Sequence, residues 1–587
     1  MEIARMVKCN PCPVKSIGMS EEVDWGSEVS LTVRKYALQN SIEYSGKGES
    51  GSVLGRVLSE RADLRNRAKE LLHLVNEEVR LANLLFEEKG SNEVVYELES
   101  IDPKALEREK HKKAEGLKDL PGDTSQVVLR FAPNPNGPLS IGHSRGVVIN
   151  SAYAEMYGGS VVLRFDDTDT KVKPPIIDAY GWIEEEYEWL AGRPADVVIR
   201  ASERMPVYLG FAEKMLAEGH GYVCRCKAED FRTFRESKMS CPCRGRGIPE
   251  SLEDWSLMNT GGLGEGDAVV RVRTDMTLPN PALRDWPALR IQHSPHPIVG
   301  NKYRVWPLLD FQSAIEDHEQ GVTHIIRGKD LMDSTRKQTL LYEHFGWEYP
   351  EALYWGRVKV HEFGGFSTSG MLDSIRKGEY VGWDDARLPT LKAIRKRGFD
   401  AQSIRNLWGE VGLTQKDISI SMKTLESINS AIIDSKSERR SFVADPVEVR
   451  VVSEYGSDKV SVPRHPEASV PGSRIWDYDS TVLIQSSDLC NGKLRFKDLA
   501  DMDISGSEAE IESEERTDNR AIIHWLPKKM SRGAVLEVPD GSSIKEVPGV
   551  IEDFELDVGA IYQLERVGFA RLEALGGGPA RLLWLHN

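Results

Sequence analysis

Between Gln126 and Asp169 the chain orders residue types that suit phosphate chemistry. Val127-Val128-Leu129-Arg130-Phe131 is a short apolar run with the character of a buried strand. Ala132-Pro133-Asn134-Pro135-Asn136-Gly137-Pro138 follows, and its prolines and glycine exclude regular structure. A helical pattern starts near Gly142 and reaches Tyr157, where Gly158-Gly159 supply a stop. Backbone N–H groups in such a loop, with the partial positive charge of a helix N-terminus, suit a phosphate, and His143 lies at the start of that helix. A second apolar run, Val161-Val162-Leu163-Arg164-Phe165, ends in Asp166-Asp167-Thr168-Asp169. Strand, loop, helix, strand predicts an α/β domain with parallel strands. Ligands of such sheets sit at the carboxyl ends of the strands, where Arg130, Asp166 and Asp167 fall. On spacing alone the loop reads equally as a tight connection with His143 as a helix cap.

Cysteines mark a second candidate. Cys224-Arg225-Cys226 and Cys241-Pro242-Cys243 are two Cys-x-Cys pairs separated by fourteen residues. Four thiolates suit a tetrahedral structural zinc, although zinc knuckles generally use the wider Cys-x2-Cys pair. The alternative is four reduced thiols beside a turn. Cys9-Asn10-Pro11-Cys12 has metal-like spacing but no second pair, and reads as no site.

Whatever positions these residues belongs to a chain of 587 residues, enough for about three to five domains. A hydrophobic fraction of 40% excludes broad disorder, and a net charge of −16 excludes a globally basic nucleic-acid binder, though not a local basic groove. The chain has no apolar run of about 18 residues, so no membrane span is expected. Met1-Glu2-Ile3-Ala4-Arg5 lacks the apolar stretch of a secretory signal. Seven cysteines are too few for a disulfide scaffold, which points to a reducing cytoplasm.

Residues 1 to about 120 read as a helical region. Within Val53 to Lys89, Leu64, Ala68, Leu71, Leu72, Val75 and Val79 fall at helical spacing and predict a packing face. Asp102 to Asp123 reads as a charged linker. From about 222 to 299, cysteine pairs, glycine turns and prolines break the pattern, which predicts an insertion. Thr323-His324-Ile325-Ile326-Arg327-Gly328-Lys329-Asp330 restores a strand with a polar end, and a helical pattern spans Ser334 to Phe345. After about Phe442 short alternating runs such as Val447-Glu448-Val449-Arg450-Val451-Val452 predict an all-β tail. Within it the acidic stretch Asp501 to Asp518 reads as a solvated loop.

Several strings, in order, resemble one family. Arg130-Phe131-Ala132-Pro133-Asn134-Pro135-Asn136-Gly137-Pro138-Leu139-Ser140-Ile141-Gly142-His143 resembles the ATP-binding signature of class I aminoacyl-tRNA synthetases, and looks most like the glutamyl and glutaminyl branch. Leu163-Arg164-Phe165-Asp166-Asp167-Thr168-Asp169 resembles that branch's next strand. Gly321 to Asp330, Gly382-Trp383-Asp384-Asp385-Ala386-Arg387-Leu388-Pro389-Thr390 with Arg395-Lys396-Arg397-Gly398, and Ser441-Phe442-Val443-Ala444-Asp445-Pro446-Val447 extend the likeness. It runs from about residue 30 to the C-terminus, and the helical start with a β tail resembles archaeal-type glutamyl-tRNA synthetases.

The resemblance implies a multidomain chain: a helical N-terminal region and linker (1–120), an α/β Rossmann-like class I catalytic domain (121–350) with an acceptor-binding insertion (about 222–299), a helical stem-contact region (351–440) and an all-β barrel anticodon-binding region (441–587). It implies ATP-dependent attachment of L-glutamate to tRNA(Glu), with tRNA(Gln) a second candidate, in a monomer using Mg²⁺ and a structural Zn²⁺. Pro133 to Pro138, Gly142, His143 and Lys329 would hold ATP; Arg130, Asp166 and Arg327 would hold glutamate, Arg327 by paired bonds to the γ-carboxylate. Ser140, His143, Ser367, Thr368 and Ser369 would serve catalysis, and Cys224, Cys226, Cys241 and Cys243 the metal. A glutaminyl-tRNA synthetase and a degenerate synthetase that binds tRNA without charging it stay as alternatives.

Three positions depart from the family pattern. Ser140 stands where the family usually has histidine, and Gly370 where the signature loop, Phe366-Ser367-Thr368-Ser369-Gly370, usually has lysine; Arg376 and Lys377 are candidate replacements. Leu309 stands where a tyrosine often contacts substrate, with Tyr303 and Trp306 nearby. Lys238-Met239-Ser240-Cys241-Pro242 mimics the signature loop but precedes the second half of the α/β domain, so Ser367 to Ser369 are preferred.

Overall fold

The computed structural model describes residues 25–44, 46–102, 116–363, 367–466 and 471–587. Cys9 and Cys12, and most of the expected linker, lie outside them. The chain divides into two compact units, 1–113 and 114–587.

The first unit holds four helices, α1 (Gly26–Glu43), α2 (Ser50–Glu60), α3 (Ala68–Lys89) and α4 (Ser91–Ile101). Val33, Ala37, Val53, Val57, Leu71, Val75, Val79 and Leu98 build its core. The expected packing face is narrower than the spacing predicts. Leu71, Val75 and Val79 are buried at i, i+4, i+8, whereas Leu72 turns outward and Ala68 is half-buried. Leu64 is buried too, but from a separate 3₁₀ turn, Ala62–Arg67.

The second unit opens on the predicted alternation: β1 (Val128–Phe131), α5 (Ile141–Tyr157), β2 (Ser160–Phe165), α6 (Ile177–Ala191) and β3 (Val197–Arg200). Gly158 caps α5 with a left-handed backbone. β1, β2 and β3 pair in parallel. After α7 (Met205–Ala217) comes β4 (Gly221–Cys224), then α8 (Ala228–Glu236), α9 (Ile248–Thr260), β5 (Val269–Val272), β6 (Pro287–Ile291) and β7 (Val305–Pro307). β4 to β7 form an antiparallel sheet with its own core around Val223, Val270, Trp286, Leu289 and Trp306.

The chain then returns through α10 (Leu309–Glu319), β8 (His324–Gly328), α11 (Met332–Phe345) and β9 (Glu351–Trp355), with β8 and β9 parallel. Thr323 ties β8 to β1: its N–H donates to the Val128 carbonyl, and its Oγ1 accepts the Val128 N–H, both at 2.9 Å. The order β3-β2-β1-β8-β9 therefore brings the ends of β1, β2 and β8 together at one edge. β10 (Val358–Val360) and α12 (Thr368–Arg376) follow.

From Arg439 onward strands dominate and form two seven-stranded sheets. Val449, Val482, Phe496 and Trp525 pack within one, and Leu536, Ile551, Leu572 and Leu582 within the other. The acidic stretch Asp501 to Asp518 is not a loop. It forms the strands Ala500–Ser505 and Glu508–Ser513, paired antiparallel. Met502, Ile504 and Ala509 point inward while Asp503, Glu508 and Glu510 face solvent. Buried Asp501 is paid for by Arg495 at 2.7 Å and by the Thr517 N–H at 2.8 Å. Among the described residues no helix is long and apolar enough to cross a membrane.

Candidate active site

The loop after β1 is clamped from three sides. The Asp166 N–H donates to the Pro133 carbonyl (3.0 Å), and the Ile176 N–H to that of Pro135 (2.8 Å). The Leu139 N–H donates to buried Glu186 on α6 (2.7 Å). Beyond it, the Ile141 N–H reaches the Pro389 carbonyl and the Leu391 N–H that of Leu139, joining the loop to the Leu388-Pro389-Thr390 string. Burial pushes the Glu186 carboxyl up to about 8, against the pull of the Leu139 N–H. Gly137 is required by close approach: a Cβ there would stand 2.7 Å from Thr368 Cγ2 and 3.1 Å from the Trp383 ring.

Ser140 is the N-cap of α5. Its Oγ accepts the His143 N–H (3.5 Å), and its own N–H donates to His143 Nδ1 (3.2 Å). Nδ1 is thereby an acceptor, so Nε2 carries the proton of the neutral ring. His143 faces the open cleft. The protein atoms crowding it, and then the Lys173 charge, hold its pKa below the ordinary histidine value.

At the ends of β1 and β2 lies a buried charge network. Arg164 bonds Asp166 through Nε (2.9 Å), Asp317 through Nη1 (2.7 Å) and Ser313 through Nη2 (2.8 Å). Arg130 Nε donates to Asp317 (3.3 Å), and Gln312 Nε2 to Asp166 (3.1 Å). Burial alone would raise Asp317, but Arg130 and Arg164 outweigh it and hold the carboxyl below its usual range. Burial raises Asp166 despite Arg164. Asp166 is thus half of an ion pair whose bonds both fall on Oδ1. Asp167 points away from the cleft and accepts from Tyr180 and Ser202, both at 2.7 Å.

Arg327 leaves the end of β8 and is buried. Its Nη2 donates to Thr335 (2.7 Å), Gln338 (2.9 Å) and Tyr349 (2.7 Å), while its Nε has no acceptor among the described residues. Neither Asp330 nor Glu319 pairs with it; Glu319 faces Arg204.

These groups surround a cleft of about 1030 Å³. Of the residues singled out in the sequence, Arg130, Pro133, Asn134, Asn136, Gly142, His143, Asp166 and Arg327 line it, as do Ser367, Thr368 and Ser369. Pro135, Gly137, Pro138 and Ser140 support the wall without lining it, and Lys329 pairs with Asp417 (2.8 Å) instead. Ser367 caps α12 by accepting the Gly370 N–H (3.1 Å). Arg376 and Lys377 do not line the cleft, nor do Tyr303 and Trp306; Leu309 does. Lys238 lies on a positive-φ turn of the insertion, away from the cleft. Sequence reasoning missed the Asp317 centre, whose partners lie 153 and 187 residues away, and missed Lys173, which no motif marks.

The four cysteines of the insertion converge. All four sulfurs lie within 4.8 Å of one another, with Cys224 to Cys241 at 3.9 Å and Cys226 to Cys243 at 3.7 Å. Zinc–sulfur bonds of about 2.3 Å in a tetrahedron require sulfurs about 3.8 Å apart, so the set fits. Among the described residues no group of three or more carboxylate or histidine ligands offers magnesium such a cage. Of the cleft aspartates, Asp166, Asp169 and Asp310 are paired with Arg164, Arg290 and Lys337, and Asp330 alone has no ion pair among the described residues.

A parallel sheet with a clamped proline–glycine loop, a helix N-terminus and a histidine at its strand ends defines a nucleotide-binding α/β enzyme. The catalytic domain described as tRNA synthetases class I (E and Q) matches residues 126–435, and that family's anti-codon binding domain matches 437–517. A glutamate–tRNA ligase of Methanosarcina mazei is 42% identical over 579 residues, covering 94% of this chain and 98% of that protein. One of Archaeoglobus fulgidus is 41% identical, covering 92% and 97%. A glutamate tRNA ligase structure from Elizabethkingia meningosepticum is 19% identical, covers 53% of this chain and 70% of its own, and has a TM-score of 0.37. This chain belongs to the class I tRNA synthetases of the glutamyl and glutaminyl branch.

Proposed function

We propose that this chain activates L-glutamate with ATP and transfers it to tRNA(Glu). The observation that carries the reading is full-length likeness, at about 40% identity, to proteins named glutamate–tRNA ligase. In the first step a glutamate carboxylate oxygen attacks the α-phosphorus of ATP. The bond to the bridging oxygen breaks, and its electron pair leaves with pyrophosphate. In the second step a hydroxyl oxygen of the terminal tRNA ribose attacks the glutamyl carbonyl carbon and gives up its proton, and the bond from that carbon to the phosphate oxygen breaks, so that AMP leaves. Catalysis is by positioning and by stabilising phosphate charge.

The α5 N-terminus with Gly142 and His143 Nε2 would meet the phosphates, and Ser367 to Ser369 would close on them. Arg327 would hold the γ-carboxylate: a guanidinium in the cleft wall that has only neutral oxygen partners and no ion pair among the described residues is matched by a carboxylate and met by a repulsive NH₂ on glutamine. That feature, with the names of the relatives, favours glutamate over glutamine. Asp166 would contact the ammonium only while still bonded to Arg164, and Arg130 would act through its charge beside Asp317. Mg²⁺ would arrive on the ATP phosphates, since three of the four cleft aspartates are already paired and Asp330 alone is left without a cation among the described residues.

Cys224, Cys226, Cys241 and Cys243 would hold a structural zinc that fixes the insertion against the tRNA acceptor end, and the β region would read the anticodon. We read the protein as a cytoplasmic monomer, organised as residues 1–120, 121–350, 351–440 and 441–587. Charging assays with purified tRNA(Glu) and tRNA(Gln) test the substrate assignment. Glutamate on tRNA(Glu) is expected. Glutamine transfer, or tRNA binding without transfer, would replace it by one of the two alternatives.

A further inference from the structure

We propose that Lys173 is a catalytic residue for glutamate activation, its ammonium meeting the ATP phosphates and taking up the charge that develops on the departing pyrophosphate. The inference rests on the adenylate-forming reading above.

It starts from the charges that line the cleft. Arg130 and Arg164 are held by Asp317 and Asp166, Arg290 by Asp169 (3.2 Å), and Lys337 by Asp310 (2.7 Å). Arg327 spends its Nη2 on three neutral oxygens at the end of β8. Lys173 alone among the described cleft cations has neither a hydrogen bond nor an ion pair, and it stands exposed at the cleft. The turn Ser367–Gly370, which also borders the cleft, carries no basic side chain. An unneutralised ammonium is what a phosphate chain requires.

Lys173 is also held in place. Asp169 Oδ1 accepts the N–H groups of Lys171 (3.2 Å) and Val172 (3.0 Å), which forms the turn before it. Thr170 Oγ1 donates to the Ser294 carbonyl (3.0 Å), and Lys171 is drawn off by Glu265 (3.0 Å). On the other side Pro174-Pro175 fix the backbone and bias Lys173 to an extended conformation. Ile176 then bonds Pro135 in the loop after β1 (2.8 Å). A short hoop, tethered at both ends, carries one free cation toward the phosphate wall. Its charge is felt there, since Lys173 helps hold the His143 pKa down.

The step needs no proton and no further reactant. As the carboxylate–phosphorus bond forms and the α–β bridge breaks, negative charge moves to the leaving oxygen, and the Lys173 ammonium donates to it.

ATP–pyrophosphate exchange with glutamate tests this in the full-length protein. Wild type must first exchange; if it does not, the adenylate reading itself is wrong and Lys173 falls with it. Given exchange, Lys173→Ala should lower kcat by about 10²-fold or more, the scale of one lost transition-state donor, with a much smaller change in the KM for glutamate. Lys173→Arg should recover most of the rate. Should the alanine variant misfold by thermal melting, Lys173→Gln replaces it. Exchange within about threefold of wild type in a folded Ala or Gln variant, or a rate that the arginine does not restore, overturns the proposal and leaves the adenylate reading intact.

Discussion

Removing Arg327 separates glutamate recognition from the rest of the cleft. In Arg327→Ala the two N–H groups of Nη2, shared among Thr335, Gln338 and Tyr349, are lost, but the acceptors are not stranded. Gln338 Oε1 keeps the Tyr349 hydroxyl at 2.7 Å, and Thr335 Oγ1 keeps the Tyr354 hydroxyl at 2.7 Å. The fold should therefore lose about 1.5–3 kcal/mol, the worth of hydrogen bonding to a charged group. The substrate loses its charge partner in a buried site, which typically costs about 2–5 kcal/mol, or roughly 30-fold to several-thousand-fold. Exchange kinetics should show that loss in kcat/KM for glutamate, with the KM for ATP nearly constant and the preference over glutamine narrowed. If the glutamate and ATP parameters fall together, Arg327 supports the sheet edge and does not grip the substrate.

Three further predictions follow from neighbouring features. His143→Ala should lower the exchange rate by about 10²-fold without unfolding the protein; an unchanged rate removes Nε2 from the mechanism. Protein purified without chelators should contain about one zinc per chain, and Cys224→Ser should lose it and loosen the insertion to proteolysis. Metal analysis that finds none, with the four thiols freely reactive, would leave a cluster of reduced cysteines. For Glu186, burial raises the carboxyl to about 8 in the folded protein, so the folded state holds a proton that the unfolded chain has released. Stability should accordingly fall as pH rises from the ordinary glutamate range toward 8, and Glu186→Gln, which keeps an acceptor for Leu139, should flatten that fall in pH-dependent melting. A variant with the wild-type slope would show that Glu186 is ionised throughout.

Much of the site could be read before the fold was known because its parts are local. The apolar run into β1, the prolines of the loop and the glycines after Tyr157 each act over a few residues, and they delimit α5 to within one residue of its observed start. The Cys-x-Cys pairs were legible for the same reason. What stayed hidden depends on distance or on a partner. Asp317 sits on α10 with nothing around it to mark it, and becomes central only when the chain returns it to Arg130 and Arg164. Lys329 reads like a ligand in its string, yet Asp417 claims it. The hairpin at Ala500–Ser513 was obscured by composition: four buried apolar side chains, Ala500, Met502, Ile504 and Ala509, suffice to seat it, and its acidic residues other than Asp501 cover the outer face. Ser140 reads as a catalytic group by resemblance, whereas in the fold it caps α5 and orients His143.

The central claim is that this protein puts glutamate on tRNA. Its most direct test is acid-gel or radiolabel charging of purified tRNA(Glu) with glutamate and with glutamine, each in the presence of ATP and Mg²⁺. The account predicts glutamyl-tRNA that forms only with ATP and disappears in Arg327→Ala at limiting glutamate. Charging with glutamine in preference to glutamate, or tight tRNA binding with no aminoacylation by either amino acid, would contradict it.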